Sequence, residues 1–177
     1  MANLKAQPYP ATKIKIGAVL YLASSTTDDS RKTSSEIEEW VVRSIRAKRG
    51  SKTRFGVAAR GAQDAEKYVN LTRKLEYVTW GKRSSKAGDY GWLKSIPDWC
   101  TKQFKVGSAL PDGIYTTHRA ALVYAIAEVE SDITKCKGYM AEETIPSEIL
   151  GWQRDIADYE AQLAALKRRL AVVAKSK

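Results

Sequence analysis

A length of 177 residues, a hydrophobic content of 44% and a charged content of 28% are typical of a folded protein with one or two domains. The formal net charge of +10 suggests a polyanionic or acidic partner, and two cysteines are too few for a disulfide framework. The chain has no recognisable secretory signal and no apolar run long enough to span a bilayer, so we expect a cytoplasmic protein that does not enter a membrane.

The first periodic segment covers residues 14–23, where apolar side chains alternate along the chain. Ile14 and Ile16 fall on the same face as Leu20, and this period of two predicts a β-strand with one buried face. Serine and threonine dominate residues 24–35, which therefore predict a polar loop between the first strand and the next element.

Residues 36–49 are compatible with two structures. Ile37, Val41 and Ile45 recur at the four-residue spacing of one helix face. The same stretch is rich in β-branched and aromatic residues with alternating faces, which is typical of a strand. We favour the strand, because residues 48–57 then form a natural hairpin.

Several short elements are predicted in the middle of the chain. Residues 68–72 and 75–80 have the composition of strands, and the glycine-rich residues 81–91 have that of a loop. Pro97 suits the first turn of a helix, which we expect to be short and to reach Phe104.

The last third of the chain has the clearest helical signal. A first helix is predicted from a cap at Thr116 or Thr117 to about Lys137, and a second helix from Pro146 onward. Spacings of three and four residues separate the apolar positions of the first helix: Leu122, Ile126, Val129, Ile133, Cys136 and Met140. The second helix repeats this pattern: Ile149, Trp152, Ile156, Tyr159, Leu163, Leu166, Leu170 and Val173.

Two matched apolar stripes joined by a short loop favour an antiparallel hairpin within one chain. The alternative is a parallel dimer through the second helix, in which Asp155 would face Glu160 of the partner subunit and repel it. The second helix is expected to be the longer one. Its apolar Leu170 and Val173 would then project, and would dock on the β-rich part or bind another chain.

The predicted α+β fold has a small antiparallel β-rich domain, residues 1–115, followed by a coiled-coil-like helical hairpin, residues 116–177. Charge follows this division closely. Residues 1–117 hold 21 basic and 11 acidic side chains, whereas residues 118–177 hold nine of each. Like charges at this density repel one another, and a polyanion relieves that repulsion while releasing its own counterions.

Two stretches carry the candidate phosphate contacts. In the first, basic residues follow one another without an intervening acid: Arg43, Arg46, Lys48, Arg49, Lys52, Arg54 and Arg60. In the second, cations lie between aromatic residues: Trp80, Lys82, Arg83, Lys86, Tyr90 and Trp92. Aromatic faces that stack on bases, set among cations that hold phosphates, are typical of single-strand binding. The simpler interpretation is a solvated basic face and a loop with core tryptophans.

Catalytic and metal-binding chemistry has little support in the sequence. His118 is the single histidine, and Cys100 and Cys136 lie 36 residues apart with no CxxC or CxxH pattern, so we predict no zinc site and no cofactor. No glycine-rich phosphate loop is recognisable. An enzyme is therefore not expected.

Three functions fit these observations. The leading hypothesis is a non-catalytic nucleic-acid-binding protein, with RNA or DNA as its partner and weak sequence specificity. The first alternative is a protein-interaction module, such as an inhibitor or adaptor, that docks its basic face on an acidic protein. The second alternative is a structural protein that self-assembles into homo-oligomers through Leu170 and Val173.

Overall fold

The computed structural model describes residues 7–47, 66–75 and 96–175. The described residues form five strands and two α-helices: β1 (Val19–Thr27), β2 (Thr33–Ala47), β3 (Lys67–Arg73), β4 (Thr101–Lys105), β5 (Ile114–Tyr115), α1 (His118–Glu142) and α2 (Pro146–Lys175). The strands form an antiparallel sheet in the order β4-β3-β2-β1-β5, and the helices follow as a hairpin. The predicted α+β fold is confirmed.

Internal contacts divide the chain into two compact units. We call Tyr21–Glu38 together with Asp112–Lys177 the helical unit, and Gln7–Leu20 together with Glu39–Pro111 the sheet unit. Each unit combines stretches that are distant in sequence, and each contains buried apolar side chains of its own. The domain boundary expected between residues 115 and 116 stays a prediction.

The core of the helical unit forms where α1 and α2 pack together. Leu122 on α1 and Leu166 on α2 are fully buried, and Ala23 of β1 belongs to the same cluster. Thr117 caps α1, because its hydroxyl accepts a hydrogen bond from the Ala120 amide at 3.2 Å. The intrachain hairpin and the starts of both helices are therefore as the sequence predicts.

The connection between the helices is shorter than predicted. The first helix was expected to end near Lys137, but α1 continues through Gly138, and residues 143–145 alone separate it from Pro146. Gly138 is not among the described glycines with a positive φ, which is the conformation that ends many helices at glycine. A mid-helix glycine costs about 1 kcal/mol of helix stability, and packing of the apolar stripe outweighs that cost.

Residues 24–35 are not the predicted polar loop. They mostly extend the sheet, because β1 runs to Thr27 and β2 begins at Thr33, and the hydroxyls of these two residues lie 3.0 Å apart. The remaining turn is closed by the Asp28 carboxylate, which accepts a hydrogen bond from the Lys32 amide at 2.9 Å. Hydroxyl pairs across neighbouring strands stabilise a sheet, so a serine- and threonine-rich segment can be a strand.

The first strand starts five residues later than predicted, at Val19. Gly17 adopts φ of 87°, and its amide donates a hydrogen bond to the Val42 carbonyl at 2.8 Å. This turn breaks the apparent alternation before it can form a strand. Ile14 is consequently buried at 4% exposure, whereas Ile16 is 70% exposed instead of sharing its face.

The sheet unit is built on the central strands β2 and β3. The predicted segment 36–49 is described as far as Ala47, and residues 36–47 adopt the favoured strand rather than the alternative helix. The strand predicted at 68–72 is confirmed by β3. The register pairs apolar side chains of β2, β3 and β4 on one side of the sheet. The buried members of this apolar face are Trp40, Val42, Val69, Leu71 and Phe104.

The prediction of a short helix from Pro97 to Phe104 is wrong. A single 3-10 turn, Asp98–Cys100, is followed directly by β4, which pairs with β3. Phe104 lies opposite Val69 in this register and is buried. Pairing with β3 supplies the backbone hydrogen bonds that a helix would have made locally, and it brings the phenyl ring to the apolar face.

Candidate nucleic-acid interface

The two units differ in the sign of their charge. The described residues of the sheet unit include nine basic and three acidic side chains, whereas those of the helical unit include ten basic and fourteen acidic ones. Residues 48–65 and 76–95, which lie outside the described residues, hold a further nine basic and three acidic side chains in the sequence. The excess positive charge among the described residues therefore belongs to the sheet unit.

Two of the predicted phosphate-contacting residues are described, and both lie on β2. Arg46 is exposed, and Arg43 is half-buried at a bulge where the register between β2 and β3 shifts. The other predicted contacts lie outside the described residues: Lys48, Arg49, Lys52, Arg54, Arg60, Trp80, Lys82, Arg83, Lys86, Tyr90 and Trp92. The predicted hairpin at 48–57 and loop at 81–91 also lie outside them, as does all but the first residue of the predicted strand at 75–80.

The predicted interaction residues Leu170 and Val173 lie near the end of α2. Both are half-buried and pack against the core cluster of the helical unit. In the preceding turn, the Arg169 guanidinium donates a hydrogen bond to the Ser35 carbonyl at 2.6 Å. The end of α2 is thus in contact with its own chain, and binding of another chain through these two residues stays a prediction.

One side of the sheet unit carries two rows of polar side chains across β2, β3 and β4. The register places Arg46 opposite Tyr68 and Tyr68 opposite Lys105, and in the next row Ser44 opposite Asn70 and Asn70 opposite Gln103. We call this set the polar face: Ser44, Arg46, Tyr68, Asn70, Gln103 and Lys105. Because successive side chains on a strand point to opposite faces, the polar face lies on the reverse of the buried apolar face.

Side-chain amides connect the second row of the polar face into a hydrogen-bonded chain. The Asn70 amide nitrogen donates to the Ser44 hydroxyl at 3.0 Å, and the Gln103 amide nitrogen donates to the Asn70 carbonyl oxygen at 2.8 Å. Gln103 is exposed and Asn70 half-buried. The chain of bonds holds both amides in a defined orientation on an accessible surface.

The first row of the polar face contains an acid–base cluster with Glu66. The Lys105 ammonium donates to one oxygen of the Glu66 carboxylate, and the Tyr68 hydroxyl donates to the other at 2.9 Å. These contacts, the Lys105 hydrogen bond first, lower the pKa of Glu66, and the same carboxylate raises the pKa of Lys105. Glu66 therefore partly neutralises a cation that would otherwise be available to an anionic ligand.

On the apolar face of the same sheet, a lysine side chain lies over a tryptophan ring. The Lys102 ammonium lies 5.2 Å from the centroid of the Trp40 ring, and the tryptophan is 2% exposed. A cation over an aromatic face is attracted by the negative charge density of that face. The ring is thus a core residue with a charged cover rather than a surface for stacking on a base.

The helical unit contains a cleft of opposite electrostatic character, with a volume of about 320 Å³. Carboxylates line it at Asp112, Glu128 and Asp132, and its described lining contains no lysine or arginine. The Tyr124 hydroxyl donates to Glu128 at 2.9 Å, and burial together with this bond raises the pKa of Tyr124. Such a cleft repels phosphates, which leaves the sheet unit as the candidate surface for a polyanion.

The described residues contain no group of three or more histidine, cysteine, aspartate or glutamate side chains that could hold a metal ion. Over the same part of the chain, no helix combines the length and apolarity needed to cross a membrane. Comparison of the chain with protein-family models, with curated protein sequences and with solved structures found no match.

Sequence reasoning missed most of the polar face. The predicted site residues did not include five members of the polar face, because a polar residue on a strand gives no sign of its neighbours on other strands: Ser44, Tyr68, Asn70, Gln103 and Lys105. The alternation of polar with apolar side chains was visible in β3, where Asn70 and Thr72 flank Leu71. The register that aligns those strands depends on pairing between distant segments.

Proposed function

We propose that the protein binds nucleic acid, without catalysis, through the polar face and the basic residues of the sheet unit. The observation that carries the proposal is the separation of charge between the two units. The described residues of the sheet unit include nine basic side chains against three acidic ones, and they also present a partly exposed polar sheet surface. Both features suit a polyphosphate backbone. The acidic helical unit is then the part of the chain that a nucleic acid avoids.

The test is fluorescence anisotropy with labelled single-stranded RNA, single-stranded DNA and duplex DNA at several salt concentrations. Release of counterions from six or more phosphates should lower the affinity by about 10³-fold or more between 50 and 200 mM salt. Absence of binding at low salt, despite a net charge of +10, would contradict the proposal. An acidic protein would then become the expected partner.

Two single substitutions, Arg46→Gln on the polar face and Glu66→Gln beside it, should change the affinity in opposite directions. Arg46→Gln removes an exposed cation, and we expect weaker binding to every sequence and a salt slope smaller by about 1. Glu66→Gln removes the carboxylate that pairs with Lys105, and we expect tighter binding and a steeper slope, because one more cation becomes available to phosphates.

Matched controls for both substitutions lie on α2. Arg154→Gln and Glu148→Gln make the same changes in net charge at exposed positions of the helical unit. We expect both controls to bind with nearly wild-type affinity in anisotropy titrations at 100 mM salt. If a control and its counterpart on the polar face shift the affinity equally, net charge alone is responsible and the polar face has no special role.

A further inference from the structure

The exposed amide at the end of the second row has unused hydrogen-bonding capacity. Gln103 donates one of its two N–H groups to Asn70. Within the described residues its second N–H and its carbonyl oxygen are left for a ligand, in the plane of one exposed side-chain amide. An adjacent donor and acceptor in one plane match the edge of a nucleobase, which also presents a donor next to an acceptor.

The neighbouring side chains place cations next to this amide. Lys105 projects from the same face of β4, two residues along, which corresponds to about 6.7 Å. Arg46 projects from β2 at the other end of the first row, two strand spacings or about 9.6 Å from Lys105. A base held by Gln103 would therefore have its backbone phosphates within reach of a cation.

The shape of this surface disfavours duplex DNA. Three paired strands are about 10 Å wide before side chains are added, whereas the minor groove is about 6 Å wide and the major groove admits an α-helix or a two-stranded ribbon. In a duplex the pairing edges of the bases are also already occupied. An unpaired base can instead lie against an open sheet and present its free edge.

We propose that the polar face recognises single-stranded nucleic acid by binding the edge of an unpaired base to the Gln103 amide. This inference depends on the proposed nucleic-acid binding and adds to it the class of substrate. The hydrogen bonds from Gln103 to Asn70 and from Asn70 to Ser44 orient the amide before the ligand arrives, so little side-chain freedom is lost on binding.

The test compares Gln103→Met with wild type against a single-stranded RNA, a single-stranded DNA and a duplex of equal length. Methionine has a similar length and no charge, so the substitution removes the base contact and leaves the phosphate contacts. We expect the affinity for at least one single strand to fall about tenfold and the affinity for the duplex to stay within about twofold. Comparison of the single-stranded RNA with the single-stranded DNA shows whether the sugar, ribose or deoxyribose, affects the affinity.

Two further variants test whether the effect of Gln103→Met is specific to the base contact. Gln153→Met makes the same change at an exposed position of α2 and is expected to bind like wild type. Lys105→Gln removes a phosphate contact and should weaken both single-stranded probes by a similar factor, whatever their base sequence. Far-UV circular dichroism melts of all variants establish that each one is folded at the titration temperature.

The outcomes separate this inference from the proposed function. Binding of neither single strands nor duplex by the wild type contradicts both. If the wild type binds and Gln103→Met either leaves every affinity unchanged or lowers single-strand and duplex affinity equally, nucleic-acid binding stands and recognition of an unpaired base at Gln103 is overturned.

Discussion

Replacing Trp40 with alanine is expected to lower the free energy of unfolding by about 3–5 kcal/mol. The indole is 2% exposed and lies on the apolar face of the sheet unit, where Val42 and Leu71 are also fully buried. Its removal leaves a cavity on the buried apolar face, and it deprives the Lys102 ammonium of the ring that it covers. Urea denaturation followed by far-UV circular dichroism measures the loss.

The control for this substitution is Trp99→Ala, which removes the same side chain at a position that is 59% exposed. We expect it to cost about 1 kcal/mol or less. Because the polar face lies on the reverse of the same strands, Trp40→Ala should also weaken nucleic-acid binding wherever it unfolds the sheet unit. Equal stability losses for the two tryptophan variants would show that Trp40 is not the core residue that its burial indicates.

Leu166→Ala is expected to lower the free energy of unfolding by about 2–5 kcal/mol. Leu166 is fully buried between α1 and α2, and it belongs to a cluster that includes Leu122 and Val129 of α1. The surrounding side chains are held on two packed helices, so they collapse only partly into the space left by the lost isopropyl group. The measurement is again urea denaturation, with thermal melting as a second reading.

Leu150→Ala is the matched control on the same helix, at a position that is 50% exposed. Both variants replace leucine by alanine within α2, so their helix propensities change equally and the comparison isolates burial. We expect the control to lose about 1 kcal/mol or less. A loss at Leu150 as large as that at Leu166 would mean that the end of the hairpin near residue 150 is covered, for example by a second copy of the chain.

The sequence alone determined the helical hairpin. The three- and four-residue spacing of apolar side chains is a local pattern, and Thr117 and Pro146 mark helix starts with residues whose conformational preferences are also local. The strand at 68–72 was predictable for the same reason, since its β-branched and apolar residues alternate over five positions. In each of these elements, the residues within about one helical turn or one strand are enough to indicate its secondary structure.

Tertiary structure alone decided the elements whose local signal is weak or contradictory. Residues 24–27 became strand where the hydroxyls of Thr26 and Thr27 pair across to β2. Residues 101–105 became strand because β3 supplies their hydrogen-bonding partner. The amides of Asn70 and Gln103 meet for the same reason, although 33 positions separate them in the chain. A helix closes its hydrogen bonds within four residues, whereas a sheet closes them between distant segments, so the candidate site could be found only once the strands were paired.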